Sequence, residues 1–154
     1  MERLKLIALM MFILIMLGID LYSKDRKELL KENFSVKEII SVYDGDTFRA
    51  ELNCKTKFFC NNMSIRVYGI DTPEKRGGTK TGREKHLAHQ AQQITEAFVT
   101  SANPLYLDDC IKGKYFRLVC KVRNEKGIYL SDILLKYNLA VPYFGGTKVR
   151  DWSR

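Results

Sequence analysis

The pattern of apolar and polar positions changes period along the chain. Phe48, Ala50 and Leu52 alternate with Thr47, Arg49 and Glu51, the spacing of a half-buried strand. Ile39-Ile40-Ser41-Val42-Tyr43 has a similar texture, and Asp44-Gly45 is a tight-turn dipeptide between the two. Residues 64–70 read as a third strand, entered through a turn at Asn61-Asn62. Leu87, Ala91, Ile94 and Phe98 then recur at helical intervals, one apolar stripe of an amphipathic helix. Thr81-Gly82-Arg83-Glu84 has the capping-box pattern at its start, and Asn103-Pro104 stops it. Strands are predicted over 105–110 and 115–123, and Gly127 turns into a short one, Ile128-Tyr129-Leu130. Ser131 is placed to cap a second helix running through Leu139. Three strands, a helix, two strands and a helix is the order of an α+β domain built on an OB-fold, a five-stranded Greek-key β-barrel.

One segment has no polar face at all. From Leu6 to Ile19 every residue is apolar except Gly18, and Arg3 and Lys5 precede the run. It fits the roughly 7–15 residues of a signal-peptide core and falls short of the ~20 that span a membrane comfortably. No Ala-x-Ala follows, the best offer being Leu21-Tyr22-Ser23, and no cysteine follows the run directly. Residues 1–23 are therefore expected to be an export segment, either a cleaved signal peptide or an N-terminal anchor. Such a segment engages the export machinery and, as an anchor, the membrane. Residues 24–35 read as a charged linker, 36–145 as the barrel domain and 146–154 as a basic tail.

Composition narrows the class. A chain of 154 residues holds one domain, and 45% hydrophobic residues exclude a disordered one. With 3 Pro and 10 Gly it is not collagen-like. Lys and Arg number 26 against 18 Asp and Glu, a net +8. The charges of the first 23 residues cancel, so the surplus belongs to the rest of the chain. It points to a polyanionic partner, nucleic acid or an anionic surface. The cysteines are Cys54, Cys60, Cys110 and Cys120. An even number in a small exported domain favours disulfides, and 54–60 with 110–120 is the economical pairing. Zinc sites favour pairs separated by two to four residues, which neither spacing matches.

Several side chains could carry chemistry. Asp46 shares parity with Phe48, Ala50 and Leu52, which puts its carboxylate on the apolar side, where it needs a cation or several donors. Asp71 ends the predicted third strand, ahead of Thr72-Pro73-Glu74. Carboxylates at the ends of neighbouring strands are hard oxygen ligands suited to Ca²⁺ or Mg²⁺. Arg66 lies on the same strand as Asp71, and Arg117 lies on another. Two guanidinium groups beside carboxylates and a divalent cation is what phosphodiester cleavage requires, because charge builds up on the phosphate in the transition state. A further carboxylate can take the proton of the attacking water.

These residues resemble a known family. Val42-Tyr43-Asp44-Gly45-Asp46-Thr47, Ile65-Arg66-Val67-Tyr68-Gly69-Ile70-Asp71-Thr72-Pro73-Glu74 and Lys114-Tyr115-Phe116-Arg117 are similar to the motifs of the staphylococcal nuclease (thermonuclease) family, over residues 36–145. The resemblance implies a Ca²⁺-dependent phosphodiesterase on an OB barrel, cleaving DNA and RNA to 3′-phosphate products. It implies Asp46, Asp71 and the carbonyl of Thr72 as Ca²⁺ ligands, Glu74 as general base, and Arg66 and Arg117 as phosphate ligands, with Asp44 supporting the site. Lys114, Tyr115 and Tyr143 match its nucleotide contacts, and residues 75–83 match a mobile basic loop. Phe116 stands where the best-known member has glycine, Tyr143 lies one position off the family spacing, and the two candidate disulfides are not in that member's pattern. The domain is expected to act as a monomer.

The alternative is an OB-fold module that binds single-stranded nucleic acid without cutting it. In such a module Asp46, Asp71 and Glu74 would only repel phosphate. His86 and His89 lie three apart on the first helix, beside the apolar stripe, and read as a solvated face. Trp152, the single tryptophan, reads as a surface or tail-packing residue.

Overall fold

The structure is a computed structural model that describes residues 9–14, 16, 32–54, 60–75, 82–148 and 151–152. It falls into two compact units, Met1–Lys31 and Glu32–Arg154. In the first, residues 9–14 and 16 are helical. Among the described residues no helix is long and apolar enough to cross a membrane. The rest of the expected export segment, most of the linker, the capping residue Thr81, the loop over 76–81 and parts of the tail lie outside the described residues.

The second unit is a closed barrel of β1 (Glu32–Asp44), β2 (Thr47–Leu52), β3 (Met63–Val67), β5 (Tyr106–Lys112) and β6 (Arg117–Arg123). Its order is β1-β2-β3-β6-β5, closed by β1 against β5. All neighbours are antiparallel except β3 and β6. Strand β1 starts at Glu32, ahead of the β texture read from Val36, and serves two neighbours. Its first residues pair with β5 and the rest with β2, with register shifts along both. Such shifts bend a strand, which is how a five-stranded sheet closes. With α1 (Gly82–Ser101) and α2 (Leu130–Lys136) the whole is the expected OB-fold of α+β class.

Alternation put the core where it lies. Phe48, Ala50 and Leu52 face inward with Ile65, Val67, Leu107, Cys120 and Val122, and α2 adds Leu130 and Leu134. Each such aliphatic or aromatic side chain contributes roughly 1.5–3 kcal/mol on burial. On α1 the stripe is rotated slightly from the expected one. Ala88, Ala91, Thr95 and Val99 are buried, while Leu87, Ile94 and Phe98 flank them, partly covered. Small residues at the centre let the helix lie close against the β1–β2 turn. Both predicted disulfides are present, Cys54–Cys60 and Cys110–Cys120.

Further element bounds differ from expectation. The third strand stops at Val67, because the chain turns at Tyr68-Gly69, where Gly69 has φ +83°. Ile70 and Asp71 form a separate strand, β4, paired with β7 (Val141–Pro142). The strand predicted from Tyr115 starts at Arg117, since Lys114–Phe116 is a 3-10 turn with left-handed Tyr115 and Phe116. Ile128-Tyr129-Leu130 is no strand: Tyr129 makes a lone bridge to Arg123, and α2 begins at Leu130. Ser131 is therefore inside the helix rather than its cap. The helix ends at Lys136, short of Leu139, because Asn138 turns left-handed at φ +56°.

Candidate active site

The β1–β2 turn presents Asp44, Gly45 and Asp46 at one end of the barrel. Asp46 is 2% exposed, as its parity with Phe48 predicted. Its Oδ1 accepts from the Thr47 hydroxyl at 2.8 Å and from Arg66 Nη1 at 2.8 Å. Its Oδ2 accepts from the Thr72 backbone N–H at 3.3 Å. Arg66 extends from β3 and donates Nη2 to Asp71 Oδ1 at 3.1 Å and to the Ile70 carbonyl at 3.4 Å. One guanidinium thus ties together two buried carboxylates that are 25 positions apart in the chain. Charged partners of this kind are what make a buried carboxylate tolerable.

The turn itself is braced by α1. Thr95 donates its hydroxyl to the Gly45 carbonyl at 2.6 Å, and Gln92 Nε2 donates to the Val42 carbonyl at 2.8 Å. A Cβ on Gly45 would stand 2.6 Å from Ala91 Cβ and 3.0 Å from the Thr72 side chain. Glycine is present here for close approach. Asp44, also buried, accepts from the Asp46 N–H at 3.4 Å. Burial, and secondarily the negative charge of Asp46, push its pKa from 3.8 up to about 7.

Glu74 follows the Pro73 turn, with its side chain 48% exposed. Lys148, from the expected basic tail, reaches it: its Nζ lies 2.5 Å from Glu74 Oε1 and 2.8 Å from Asp71 Oδ1. Burial disfavours the ammonium charge, but the hydrogen bonds to Asp71 and Glu74 outweigh it and raise the Lys148 pKa. Sequence reasoning missed this residue. The only signal was the Gly145-Gly146-Thr147-Lys148 run, in which two flexible positions precede a cation. It missed Thr95 and its bond to Gly45 as well, since contacts between a turn and a helix leave no periodic trace.

A cavity of about 410 Å³ is lined by Arg66, Arg117, Lys114 and Tyr143, and Arg66 is what it shares with the carboxylate cluster. Arg117 Nε is buried and finds no hydrogen-bond acceptor among the described residues. A buried donor of this kind is costly unless a ligand accepts from it. Tyr143 donates its hydroxyl to the Gly146 carbonyl at 2.8 Å, so the residue set one position off the family spacing still reaches the cavity. Tyr115 is not among the cavity's walls. It projects from the 3-10 turn, 91% exposed, next to Phe116 at 70%. Both have φ +58°, an uncommon conformation for bulky residues that tends to mark functional positions. His86 and His89 are exposed on α1, as read, and Trp152 is buried and lines a cavity together with residues of α1.

Among the described residues no three carboxylate, imidazole or thiolate side chains gather in a way that could hold a metal ion. The donor chemistry still suits a hard divalent cation. Asp46 and Asp71 are brought together with the Thr72 backbone, Asp44 lies beside Asp46, and Arg66 and Lys148 pair with carboxylates of the cluster. Main-chain carbonyls and water would have to complete such a shell.

A closed five-stranded barrel with flanking helices, and carboxylates and guanidinium groups at one end, defines an OB-fold domain of the nuclease type. The family described as staphylococcal nuclease homologue matches residues 64–151, more than half of the chain, and the chain belongs to that family. No curated protein matches it.

Proposed function

We propose that the barrel domain, residues 36–145, is a Ca²⁺-dependent phosphodiesterase that hydrolyses DNA and RNA to 3′-phosphate products. The observation that carries this reading is Arg66, which bridges buried Asp46 and Asp71 and lines a cavity that Arg117 also lines. Asp46, Asp71 and the Thr72 carbonyl would hold Ca²⁺, which supplies positive charge against the phosphate and lowers the cost of deprotonating water. Arg117 offers its buried Nε and the rest of its fork to a phosphate oxygen, and Arg66 adds a second guanidinium held in place by Asp46 and Asp71. Both stabilise the charge that develops as a fifth oxygen joins phosphorus. Glu74 accepts the proton of the attacking water, its partial exposure leaving it within reach of solvent. Lys114 and Tyr143, on the cavity wall, and Tyr115, beside it, hold the adjoining nucleotides. Asp44 supports the turn that aims Asp46.

Export of the domain, through residues 1–23 as signal peptide or anchor, is part of the same reading. The two disulfides support it, because they persist in oxidising compartments.

The test is cleavage of plasmid and RNA with Ca²⁺ or with a chelator, followed by titration of a nucleotide inhibitor into three variants. All three should lose activity, by roughly 10²–10³ for the arginines and roughly 10²–10⁴ for the base. Binding separates the roles. Arg66→Lys and Arg117→Lys should weaken the inhibitor, since lysine keeps the charge and loses the fork. Glu74→Ser should bind it as well or better, having lost a negative charge. The reverse pattern would overturn the assignment, and Ca²⁺-independent cleavage would overturn the cation.

A further inference from the structure

Lys148, in the tail, touches the proposed reaction centre, and its position is unlike that of an ordinary surface lysine. Its ammonium stands between two carboxylates, 2.8 Å from Asp71 and 2.5 Å from Glu74. Asp71 Oδ1 is shared with Arg66, so two monovalent cations already crowd one oxygen. The tail is steered there. Tyr143 N–H donates to the Gly69 carbonyl at 2.9 Å and its hydroxyl donates to the Gly146 carbonyl at 2.8 Å. Gly145 and Gly146 turn the chain at φ +107° and +91°, with open space around both. The anchor at Tyr143 fixes where the tail starts, and the two glycines supply the turn that carries Lys148 to the carboxylates.

We propose that Lys148 is a resident cation of the carboxylate cluster that competes with Ca²⁺ for Asp71 and sets the affinity of the site for divalent metal. The inference rests on the reading of Asp46 and Asp71 as Ca²⁺ ligands. Ca²⁺ takes oxygen ligands at about 2.3–2.6 Å. An ammonium and a divalent ion on the same carboxylate repel one another at that range. Metal binding therefore has to move Lys148 off Asp71, and the cost of that move lowers the apparent metal affinity. By linkage, the tail and the metal weaken one another by the same factor.

The experiment is calorimetric titration of Ca²⁺ into the full chain and into Lys148→Met, Lys148→Gln, Lys148→Arg and Asp46→Asn. Lys148→Met and Lys148→Gln should bind Ca²⁺ about tenfold more tightly than the wild type, a coupling of ordinary size. Lys148→Arg, which keeps a cation on the tail, should not. Hydrogen exchange in the wild type gives a second readout that needs no variant: Ca²⁺ should speed exchange at residues 145–148. Unchanged or weaker Ca²⁺ binding in both neutral variants, or tail exchange that Ca²⁺ leaves unaltered, overturns the proposal while the metal reading stands. Absence of Ca²⁺ binding in the wild type, or equal binding in Asp46→Asn, overturns the metal reading and this inference with it.

Discussion

The two ends of the candidate site are built on opposite principles. The Asp44–Asp46 turn is buried, braced by Thr95 and Gln92 of α1, and packed so closely that Gly45 has no room for a side chain. The Lys114–Phe116 turn holds two exposed aromatic rings in left-handed backbone, with the Lys112 ammonium 6.0 Å from the Phe116 ring centre. Burial explains the first design, because carboxylates that must stay together repel each other and need a rigid frame. Exposure suits the role proposed for the second, because a surface that is to meet single strands of varied sequence works through open ring faces. The lesson is that precision and adaptability are divided between two turns of one barrel.

The sharpest way to break this division is at Gly45. Gly45→Ala puts a methyl group against Ala91 and Thr72 and should cost roughly 1–3 kcal/mol of stability, as overpacking does. It should also displace Asp46, so activity should fall further than melting temperature alone accounts for. A comparison of thermal melts with Ca²⁺-dependent kcat checks both. A Gly45→Ala protein of normal stability and rate would mean the turn is not rigid.

At the other end the effect should be confined to binding. Tyr115→Ala should raise KM for single-stranded DNA about tenfold, the stacking of one base on one ring, and leave kcat and Tm nearly unchanged. A loss in kcat would move Tyr115 into the reaction centre and erase the contrast.

The smallest expected effect sharpens the comparison through pH. The pKa of Asp44 is raised in the fold, to about 7. Its protonated form is favoured there, so its contribution is fully present below its ordinary value of 3.8 and is lost as pH rises through about 7. Asp44→Asn cannot ionise. In chelator it should melt increasingly above the wild type, by a few degrees, between pH 4 and pH 8. A constant difference across that range would show that Asp44 is not held neutral by its burial.

The barrel was legible because its strands alternate. Phe48, Ala50 and Leu52 revealed the inner face of β2, and Asp46 fell on that face by simple parity. The cysteine spacing gave both disulfides. What escaped was whatever depends on tertiary approach. Nothing local marks Ala91 and Thr95 as the floor under a turn. The left-handed Tyr115 and Phe116 sit in a stretch whose composition reads as strand, since β-propensity rewards aromatic residues wherever they are. Lys148 is distant in sequence from Asp71 and Glu74, and only the fold brings it to them.

The Cys110–Cys120 bond ties β5 to β6, and the segment it closes carries Lys114, Tyr115, Phe116 and Arg117. Closing so short a loop contributes roughly 2–3 kcal/mol in the chain-entropy account. The carboxylate turn has no such clasp. Opening the bond in a reducing medium should therefore loosen the arm proposed to hold nucleotides, while the Asp44–Asp46 turn keeps its hydrogen bonds to α1.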